Sequence, residues 1–151
     1  MADGARGPVL LTGATGFVGS RLYPRLKEAG FDVICASRRP GRARQQHPER
    51  RWVELDVSRP ETLEPAMEKC RSALYLIHQI SGDDYVETER QSARRFAQAA
   101  HGQDLQRIVY LGGVRPGGTP STHLESRLET GRVLRQGAVS CVELRAAMII
   151  G

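Results

Sequence analysis

The feature that most limits how this chain can fold is a glycine-rich segment at residues 12–19, TGATGFVG. Its glycines follow the spacing G-x-x-G-x-x-G. The segment stands between an apolar run, Val9–Leu11, and a stretch with helical periodicity that starts at Phe17. A strand, a glycine turn and a helix in this order present unpaired N–H groups and the positive end of a helix dipole to an anion. The first βα junction is therefore predicted to bind the pyrophosphate of a dinucleotide.

Each glycine of this turn has an expected role. Gly13 allows the tight turn, Gly16 lets the backbone approach the pyrophosphate, and Gly19 lets the helix pack against the sheet. The alternative is a glycine-rich turn that binds no ligand. The position of the turn at the start of a chain that repeats strand and helix favours the binding interpretation.

The rest of the chain alternates apolar runs with amphipathic stretches. Strands are predicted at residues 9–11, 32–37, 52–55, 73–77, 107–111 and 141–150. Four helices are predicted. The first covers residues 17–29, the second follows an S-x-x-E capping box at Ser58 and Glu61, and the third lies around residues 86–100. The fourth begins at a capping box formed by Thr122 and Glu125 and ends at Gly137. Pro65 is expected to kink or shorten the second of these helices. The polar stretch 40–50 shows no clear helical periodicity.

This alternation predicts an α/β fold, a Rossmann-type doubly wound parallel sheet in strand order 3-2-1-4-5-6 within a three-layer α/β/α domain. The 151 residues suit one domain, and neither an internal repeat nor a linker suggests a second one. No apolar run approaches a membrane span, and the N-terminus lacks the apolar core of a signal peptide. We therefore expect a soluble, cytoplasmic protein with no membrane partner.

Charge and cysteine content narrow the function classes further. The net charge is +5, and six arginines lie between residues 38 and 51. No aromatic residues interleave with them up to Arg51, so we expect a solvated loop with a phosphate contact and no nucleic-acid partner. The three cysteines are far apart in sequence and the histidines lack metal-ligand spacing. Buried thiols and no metal site are therefore expected.

The end of the second strand indicates which dinucleotide binds. A site specific for NAD places Asp or Glu there to bond the ribose 2′-hydroxyl group. This chain has Ser37, followed by Arg38 and Arg39. A guanidinium group binds a 2′-phosphate that a carboxylate would repel. We therefore predict NADP(H) in preference to NAD(H), with Arg38 as the main ligand and Ser37 or Arg39 assisting. The alternative is that both arginines face water.

Two further residues are placed for ligand contact. Asp56, which follows the third strand, is positioned for the adenine amino group, although a turn residue before the capping box is almost as good an interpretation. His78 follows the fourth strand, at the edge where doubly wound sheets hold their ligands. It is a candidate for contact with the substrate or the nicotinamide ribose.

Together these residues resemble the short-chain dehydrogenase/reductase superfamily, in its atypical branch of NAD(P)H-binding, NmrA-like and nucleoside-diphosphate-sugar epimerase-like proteins. The resemblance covers the whole chain. Its specific segments are residues 12–19 (TGATGFVG), 55–57 (LDV), 76–78 (LIH), 108–113 (IVYLGG), 123–127 (HLESR) and 144–146 (LRA).

The resemblance implies a set of cofactor contacts. The residues expected around the pyrophosphate are Gly13, Thr15, Gly16, Phe17 and Val18. Those expected beside the adenine are Asp56 and Val57. Ile77 and His78 are expected near the nicotinamide ribose. Leu111 and Gly112 are expected beneath the nicotinamide ring.

The chain departs from the superfamily at the catalytic positions. The helix after the fifth strand, which carries a Tyr-x-x-x-Lys pair in active members, has no tyrosine and no lysine here, and Gly112-Gly113 replaces the expected serine. His123 and Arg127 occupy the equivalent helix at the same spacing, which puts them on one helical face. His123 is therefore a candidate general acid tuned by Arg127. The alternative is a surface histidine beside an arginine that is solvated or paired with Glu125 or Glu129.

Two functions are consistent with this sequence. The first is an NADP(H)-dependent oxidoreductase or epimerase-like enzyme that acts on a small molecule, with or without homo-oligomer formation. The second is a non-catalytic NADP(H)-binding redox sensor or regulatory module. Members of this branch usually continue after the sixth strand to build the substrate pocket, so we expect residues 1–151 to be the NAD(P)-binding domain without that part.

Overall fold

The computed structural model of the chain describes residues 7–78 and 82–150. Strands and helices alternate along it, as the sequence predicts. The strands are β1 (Val9–Leu11), β2 (Val33–Ser37), β3 (Arg51–Glu54), β4 (Ser72–Tyr75), β5 (Arg107–Gly113) and β6 (Cys141–Ala146). The helices are α1 (Phe17–Glu28), α2 (Pro40–Gln46), α3 (Leu63–Met67), α4 (Tyr85–Gly102) and α5 (Thr122–Gln136).

The six strands form one parallel sheet in the order β3-β2-β1-β4-β5-β6, which confirms the predicted topology. Strand β1 pairs with β2 and β4, so the direction in which strands are added reverses between β1 and β4. After the carboxyl ends of β1 and β4, the chain therefore continues into helices on opposite faces of the sheet. This switch point is where doubly wound sheets bind their ligands.

Helices cover both faces of the sheet in a three-layer arrangement. One apolar cluster joins α3, α4 and α5 to the sheet, and its largest fully buried side chains include Phe96, Tyr75 and Tyr110. A second cluster joins α1 and α2 to the other face around Cys35 and Trp52. Strand β1 is buried along its whole length and β2 up to its last residue, which explains why these two strands appear in the sequence as unbroken apolar runs.

The stretch predicted to lack helical periodicity contains α2, which is a correction. Pro40 is the first residue of this helix, where its missing N–H group costs nothing and its fixed φ angle suits a helix. Ala43 is the one buried residue of α2. A helix that buries one side chain has no apolar stripe, so its sequence shows no period.

Both predicted capping boxes are wrong. Ser58 donates its hydroxyl to the Asp56 carboxylate at 2.6 Å instead of capping the helix that follows, which begins as a 3-10 turn at Pro60–Thr62. Ser121, not Thr122, caps α5, because its hydroxyl accepts a hydrogen bond from the Leu124 N–H group at 3.3 Å. Nearby hydrogen-bond partners, which the sequence spacing does not show, decide the cap in each case.

Two predicted strands end at least two residues earlier than expected, and one helix is short. Strand β4 ends at Tyr75 and β6 ends at Ala146. Helix α3 has five residues and contains Pro65, which agrees with the expectation that this proline limits the helix. Among the described helices, none has both the length and the apolar composition that crossing a membrane requires.

Replacing Phe96 with Ala should strongly destabilise the domain. The Phe96 side chain is fully buried, and its ring packs edge-on against Tyr75 with ring centroids 4.8 Å apart. We expect the free energy of unfolding, measured by urea denaturation, to fall by about 3–5 kcal/mol. The control Leu144→Ala, at a side chain that is 55% exposed, should change it by less than about 1 kcal/mol. Equal losses in the two variants would contradict this assignment of the core.

Candidate functional site

A groove of about 690 Å³ opens at the carboxyl ends of β1, β2 and β4. Nine of the predicted cofactor-contact residues line it: Gly13, Thr15, Gly16, Ser37, Arg38, Arg39, Val57, Ile77 and His78. These residues come from four separate segments of the chain, and the parallel sheet brings them to one edge. The groove therefore lies at the switch point of the sheet.

The glycine-rich turn forms the centre of this groove. Gly13 has φ = +61°, a conformation that side chains other than glycine rarely adopt. Its carbonyl oxygen accepts a hydrogen bond from the Gly16 N–H group at 3.0 Å, which closes the turn. A Cβ atom at Gly19 would overlap that same carbonyl oxygen and would lie 2.9 Å from the Ala14 Cα atom. The turn and the helix are in contact here, and only glycine fits.

The N-terminus of α1 is open towards the groove. Gly16 is the N-cap residue, no side chain of the described residues caps the helix, and the first turn contains no acidic residue. The N–H groups of this turn have no partner within the helix. Together with the helix dipole, they form a site for a pyrophosphate group. Both the close contact at Gly19, where no Cβ atom fits, and the uncapped N-terminus of α1 are suited to such a group.

Thr12 fixes the base of the groove. Its side chain is buried, and its hydroxyl donates to the Leu74 carbonyl at 2.7 Å and accepts from the Leu76 N–H group at 2.9 Å. The hydroxyl thereby bridges β1 and the chain after β4 at the switch point. This bridge holds the turn in register with the segment that carries Ile77 and His78.

Basic side chains line the opposite end of the groove. Arg38 and Arg39 follow β2, and Arg42 extends the set from the first turn of α2. The Ser37 hydroxyl accepts a hydrogen bond from the Arg39 N–H group at 3.1 Å, which orders the turn between β2 and α2. No carboxylate is among the described residues that line the groove. This end therefore suits a ligand with an additional phosphate group.

Asp56 is a turn residue in this structure. Its carboxylate accepts hydrogen bonds from both the backbone N–H group and the hydroxyl of Ser58. Burial disfavours the ionised carboxylate, but these hydrogen bonds and the charge of Arg38 outweigh it and lower the pKa of Asp56. The Asp56 side chain does not line the groove, so the adenine contact stays a prediction.

Sequence reasoning missed a second group of lining residues: Thr12, Ala36, Arg42, Ala43, Gln46, Leu55 and Leu76. Arg42 and Gln46 are four residues apart on α2, which brings them to one helical face. Pro40 at a helix start, with six residues free of glycine and proline after Gly41, could have indicated this short helix. Ala36, Leu55 and Leu76 lie at the ends of strands that were already predicted, whereas Ala43 lies on α2.

Besides Asp56, four of the predicted cofactor residues lie outside the residues that line the groove: Phe17, Val18, Leu111 and Gly112. Phe17 and Val18 are the first two residues of α1, next to the turn. A Cβ atom at Gly112 would lie 2.5 Å from Glu143 Oε1, so this glycine makes room for a carboxylate between β5 and α5. Contact of these four residues with the cofactor stays a prediction.

His123 and Arg127 lie near the N-terminus of α5 and do not line the groove. Arg127 donates to the Leu111 carbonyl at 2.9 Å. Glu129, one of the two carboxylates considered as its partner, instead forms an ion pair with Arg132. His123 Nδ1 and Arg127 Nε are buried without a hydrogen-bond partner among the described residues. A catalytic role for the pair stays a prediction.

Gly113 stands where the superfamily pattern expects a serine, and the structure explains the glycine. A Cβ atom there would overlap the Leu124 side chain and lie 4.0 Å from Arg127 Nε. The tyrosines offer no substitute for the missing phenol. Tyr75 and Tyr110 are buried in the core, and none of the four tyrosines is among the groove-lining residues.

His78 lies at the end of the groove after β4, with 23% of its side chain exposed. Its Nδ1 atom lies 3.7 Å from Glu89 Oε1, and its ring faces that of Tyr110 at a centroid distance of 6.5 Å. Among the described side chains that line the groove, His78 is the one imidazole.

Comparison with known proteins agrees with this geometry. A family model described as NAD(P)H-binding matches residues 13–138. Among curated proteins, dihydroflavonol 4-reductase of Hordeum vulgare is 46% identical over 46 residues, which is 30% of this chain and 13% of that protein.

Solved structures share the fold at low sequence identity. Citrobacter sp. triphenylmethane reductase complexed with NADP(H) matches with a TM-score of 0.79 and 19% identity, over 93% of this chain and 50% of that one. UDP-N-acetylglucosamine 4-epimerase from Bacillus cereus matches with a TM-score of 0.74 and 16% identity, over 91% and 52%. This chain therefore spans about half the length of these two proteins.

Replacing Gly19 with Ala should damage both the turn and its binding of an NAD(P)H cofactor, tested here with NADPH. The new methyl group collides with the backbone of Gly13 and Ala14, so the turn must move away from the helix. We expect at least a roughly tenfold weaker affinity by calorimetry, about 1.4 kcal/mol, and a free energy of unfolding lower by about 1–3 kcal/mol.

The matched control is Gly41→Ala, since a Cβ atom there meets nothing within 4 Å. It should leave NADPH affinity unchanged and stabilise α2 by about 0.5–1 kcal/mol. An unaltered affinity in Gly19→Ala would show that the close contact does not shape the binding turn.

Tyr110 should make the stability of the domain sensitive to alkaline pH. Burial raises the pKa of the Tyr110 hydroxyl, which donates to the Arg127 carbonyl at 2.9 Å, to about 12. Below about pH 10, both the folded and the unfolded chain keep the proton. Between about pH 10 and 12, only the unfolded chain releases it, so the free energy of unfolding falls as pH rises.

The variant Tyr110→Phe tests this linkage. It loses one hydrogen bond, about 1 kcal/mol at neutral pH. Its free energy of unfolding should then fall less steeply than that of the unmodified chain above about pH 10, by about 1–3 kcal/mol in total. Urea denaturation at a series of pH values measures both curves, and parallel curves would contradict the assignment.

Proposed function

We propose, since this chain belongs to the NAD(P)H-binding family, that it is the NADP(H)-binding domain of an oxidoreductase or epimerase-like enzyme acting on a small molecule. The observation that carries the choice of NADP(H) is the basic end of the groove. Arg38, Arg39 and Arg42 line it, Ser37 closes β2, and no carboxylate joins them among the described lining residues.

The physical argument concerns charge. A bound NAD needs an acceptor for its ribose 2′-hydroxyl group, and a carboxylate at the end of the second strand usually supplies it. NADP carries a phosphate on that oxygen, which a carboxylate would repel and guanidinium groups bind with charge-assisted hydrogen bonds. Arginines from two elements, the turn after β2 and α2, converge on this end of the groove.

The remaining residues have complementary roles in this proposal. The backbone from Gly13 to the start of α1 binds the pyrophosphate, while Leu55 and Val57 provide apolar surface for the adenine. Ile77 and His78 lie at the end of the groove assigned to the nicotinamide half. The nicotinamide supplies hydride transfer when bound, and the protein orients it and excludes competing reactions.

A second candidate function is a non-catalytic module that senses the redox state of NADP(H). One observation favours it: the catalytic phenol has no counterpart in the groove, because Tyr75 and Tyr110 are buried. In this case the groove binds the cofactor and another surface reports its state to a partner protein.

Parallel calorimetric titrations with NADPH and NADH test the cofactor assignment. We expect NADPH to bind more tightly, and Arg38→Ala to weaken NADPH binding by about 1.5–3 kcal/mol, the value of a charge-assisted hydrogen bond. The same variant should leave NADH binding nearly unchanged, because NADH lacks the phosphate.

Arg44→Ala is the control for this titration. Arg44 lies on α2, is exposed and is not among the groove-lining residues, so its removal changes the net charge equally. It should alter both affinities only slightly. Equal affinity of the unmodified chain for the two cofactors would contradict the role of Arg38 while leaving the pyrophosphate turn intact.

Turnover distinguishes the two functions. The enzyme proposal expects the complete enzyme that contains this domain to oxidise NADPH with at least one member of a panel of small carbonyl compounds. The sensor proposal expects tight NADPH binding without turnover, together with a protein partner retained in a pull-down with one of NADPH and NADP⁺ but not with the other.

A further inference from the structure

A buried carboxylate stands behind His78. Glu89, on the second turn of α4, is 5% exposed, and its Oε1 atom lies 3.7 Å from His78 Nδ1. Its other oxygen, Oε2, accepts a hydrogen bond from the hydroxyl of Ser126, which is 1% exposed on α5. Helices α4 and α5 thus both contribute to one polar chain that ends at the groove.

Such a chain is costly to build in a core. A buried carboxylate loses most of its hydration, and the loss is offset only by hydrogen bonds and nearby positive charge. Two aromatic side chains, Tyr75 and Tyr110, are fully buried nearby. The negative charge of Glu89 is one of the causes that raise the pKa values of both these tyrosines, after burial itself.

The position of the carboxylate orders the imidazole. Nδ1 is the ring atom near Glu89, so a proton on Nδ1 points its N–H dipole towards a negative charge. A proton on Nε2 alone would instead turn the Nδ1 lone pair towards that charge. The carboxylate therefore favours the tautomer that leaves Nε2 as a free acceptor. Histidines held by carboxylates in acid–base catalysis are ordered by the same physics.

We propose that His78 is the acid–base residue of this site and that Glu89, held by Ser126, is its positioning residue. This inference rests on the proposed function and specifies its substrate class, a small molecule with a hydroxyl or carbonyl group. His78 takes the role that the missing tyrosine and lysine leave open, from the segment after β4 instead of from α5.

The proton transfer balances in both directions. During oxidation of an alcohol, the hydroxyl O–H bond breaks and the Nε2–H bond forms, while hydride from the same carbon passes to the nicotinamide of NADP⁺. The Glu89 carboxylate stabilises the resulting imidazolium ion. During reduction of a carbonyl, the same proton returns from Nε2 to the oxygen.

The imidazole tautomer is the direct test of the positioning role. Long-range ¹H–¹⁵N correlation spectra of the labelled chain at about pH 8, where an ordinary imidazole is neutral, report which ring nitrogen carries the proton. The His78 signal is assigned by its loss in His78→Gln. We expect the proton mainly on Nδ1, and a shift towards Nε2 in Glu89→Gln.

Two further variants separate positioning from folding. Ser126→Ala keeps the carboxylate but removes its hydrogen bond, and it should shift the tautomer in the same direction by less. Glu87→Gln, an exposed position on the same helix, should leave the His78 signals unchanged. A proton mainly on Nε2 in the unmodified chain would overturn the proposal, and this result does not depend on the folding of any variant. A tautomer that Glu89→Gln leaves unchanged would overturn it as well.

Chemical modification tests whether Nε2 faces the ligand. Diethyl pyrocarbonate acylates accessible unprotonated imidazoles, and peptide mapping locates them. With NADPH at about ten times its Kd, modification of His78 should slow roughly tenfold, while that of exposed His101 should not change. Unslowed modification of His78 in protein saturated with NADPH would overturn its placement at the reacting end.

Calorimetry on the same samples keeps the two proposals distinguishable. Glu89 does not line the groove, so Glu89→Gln should bind NADPH within about twofold of the unmodified chain. Absence of NADPH binding in the unmodified chain would contradict the proposed function, while the tautomer experiment would still be readable. Binding with the wrong tautomer would contradict only the inference about His78 and Glu89.

Discussion

The contact between the glycine-rich turn and the first turn of α1 is the constraint on which the site depends. Gly19 approaches the Gly13 carbonyl so closely that no Cβ atom fits between them, and Gly13 adopts a left-handed conformation. The helix can therefore begin directly at the sheet edge, with its N–H groups towards the groove. Thr12 then ties this edge to the segment after β4, so the turn and His78 keep a fixed relation.

Charge is distributed around this frame in a way that suits one ligand. The helix N-terminus and the arginines after β2 provide positive potential along the groove, and Asp56 is withdrawn into a turn with Ser58. On the other side of the sheet, Glu89 places a negative charge behind His78. The groove thus offers cationic groups to an anionic ligand at one end and an oriented imidazole at the other.

Particular residues show where sequence reasoning was sufficient and where it was not. Strand order and the positions of Gly13, Ser37, Arg38 and Ile77 at one edge followed from apolar runs and the rule that parallel strands end together. Helix α2 was missed because a helix that buries only Ala43 leaves no periodic signal. Glu89 was missed because its spacing from His78 along the chain has no meaning until α4 packs beside β4.

The sequence by itself determined the local chemistry: a turn that only glycine can form, a strand end without a carboxylate, and a helix without the Tyr-x-x-x-Lys pair. These properties depend on residues that are adjacent along the chain. Only the tertiary structure decided that Asp56 bonds to Ser58, that Arg127 binds the Leu111 carbonyl, and that Ser126, Glu89 and His78 form one chain. Such pairings depend on how separate helices pack on the sheet, which local spacing does not encode.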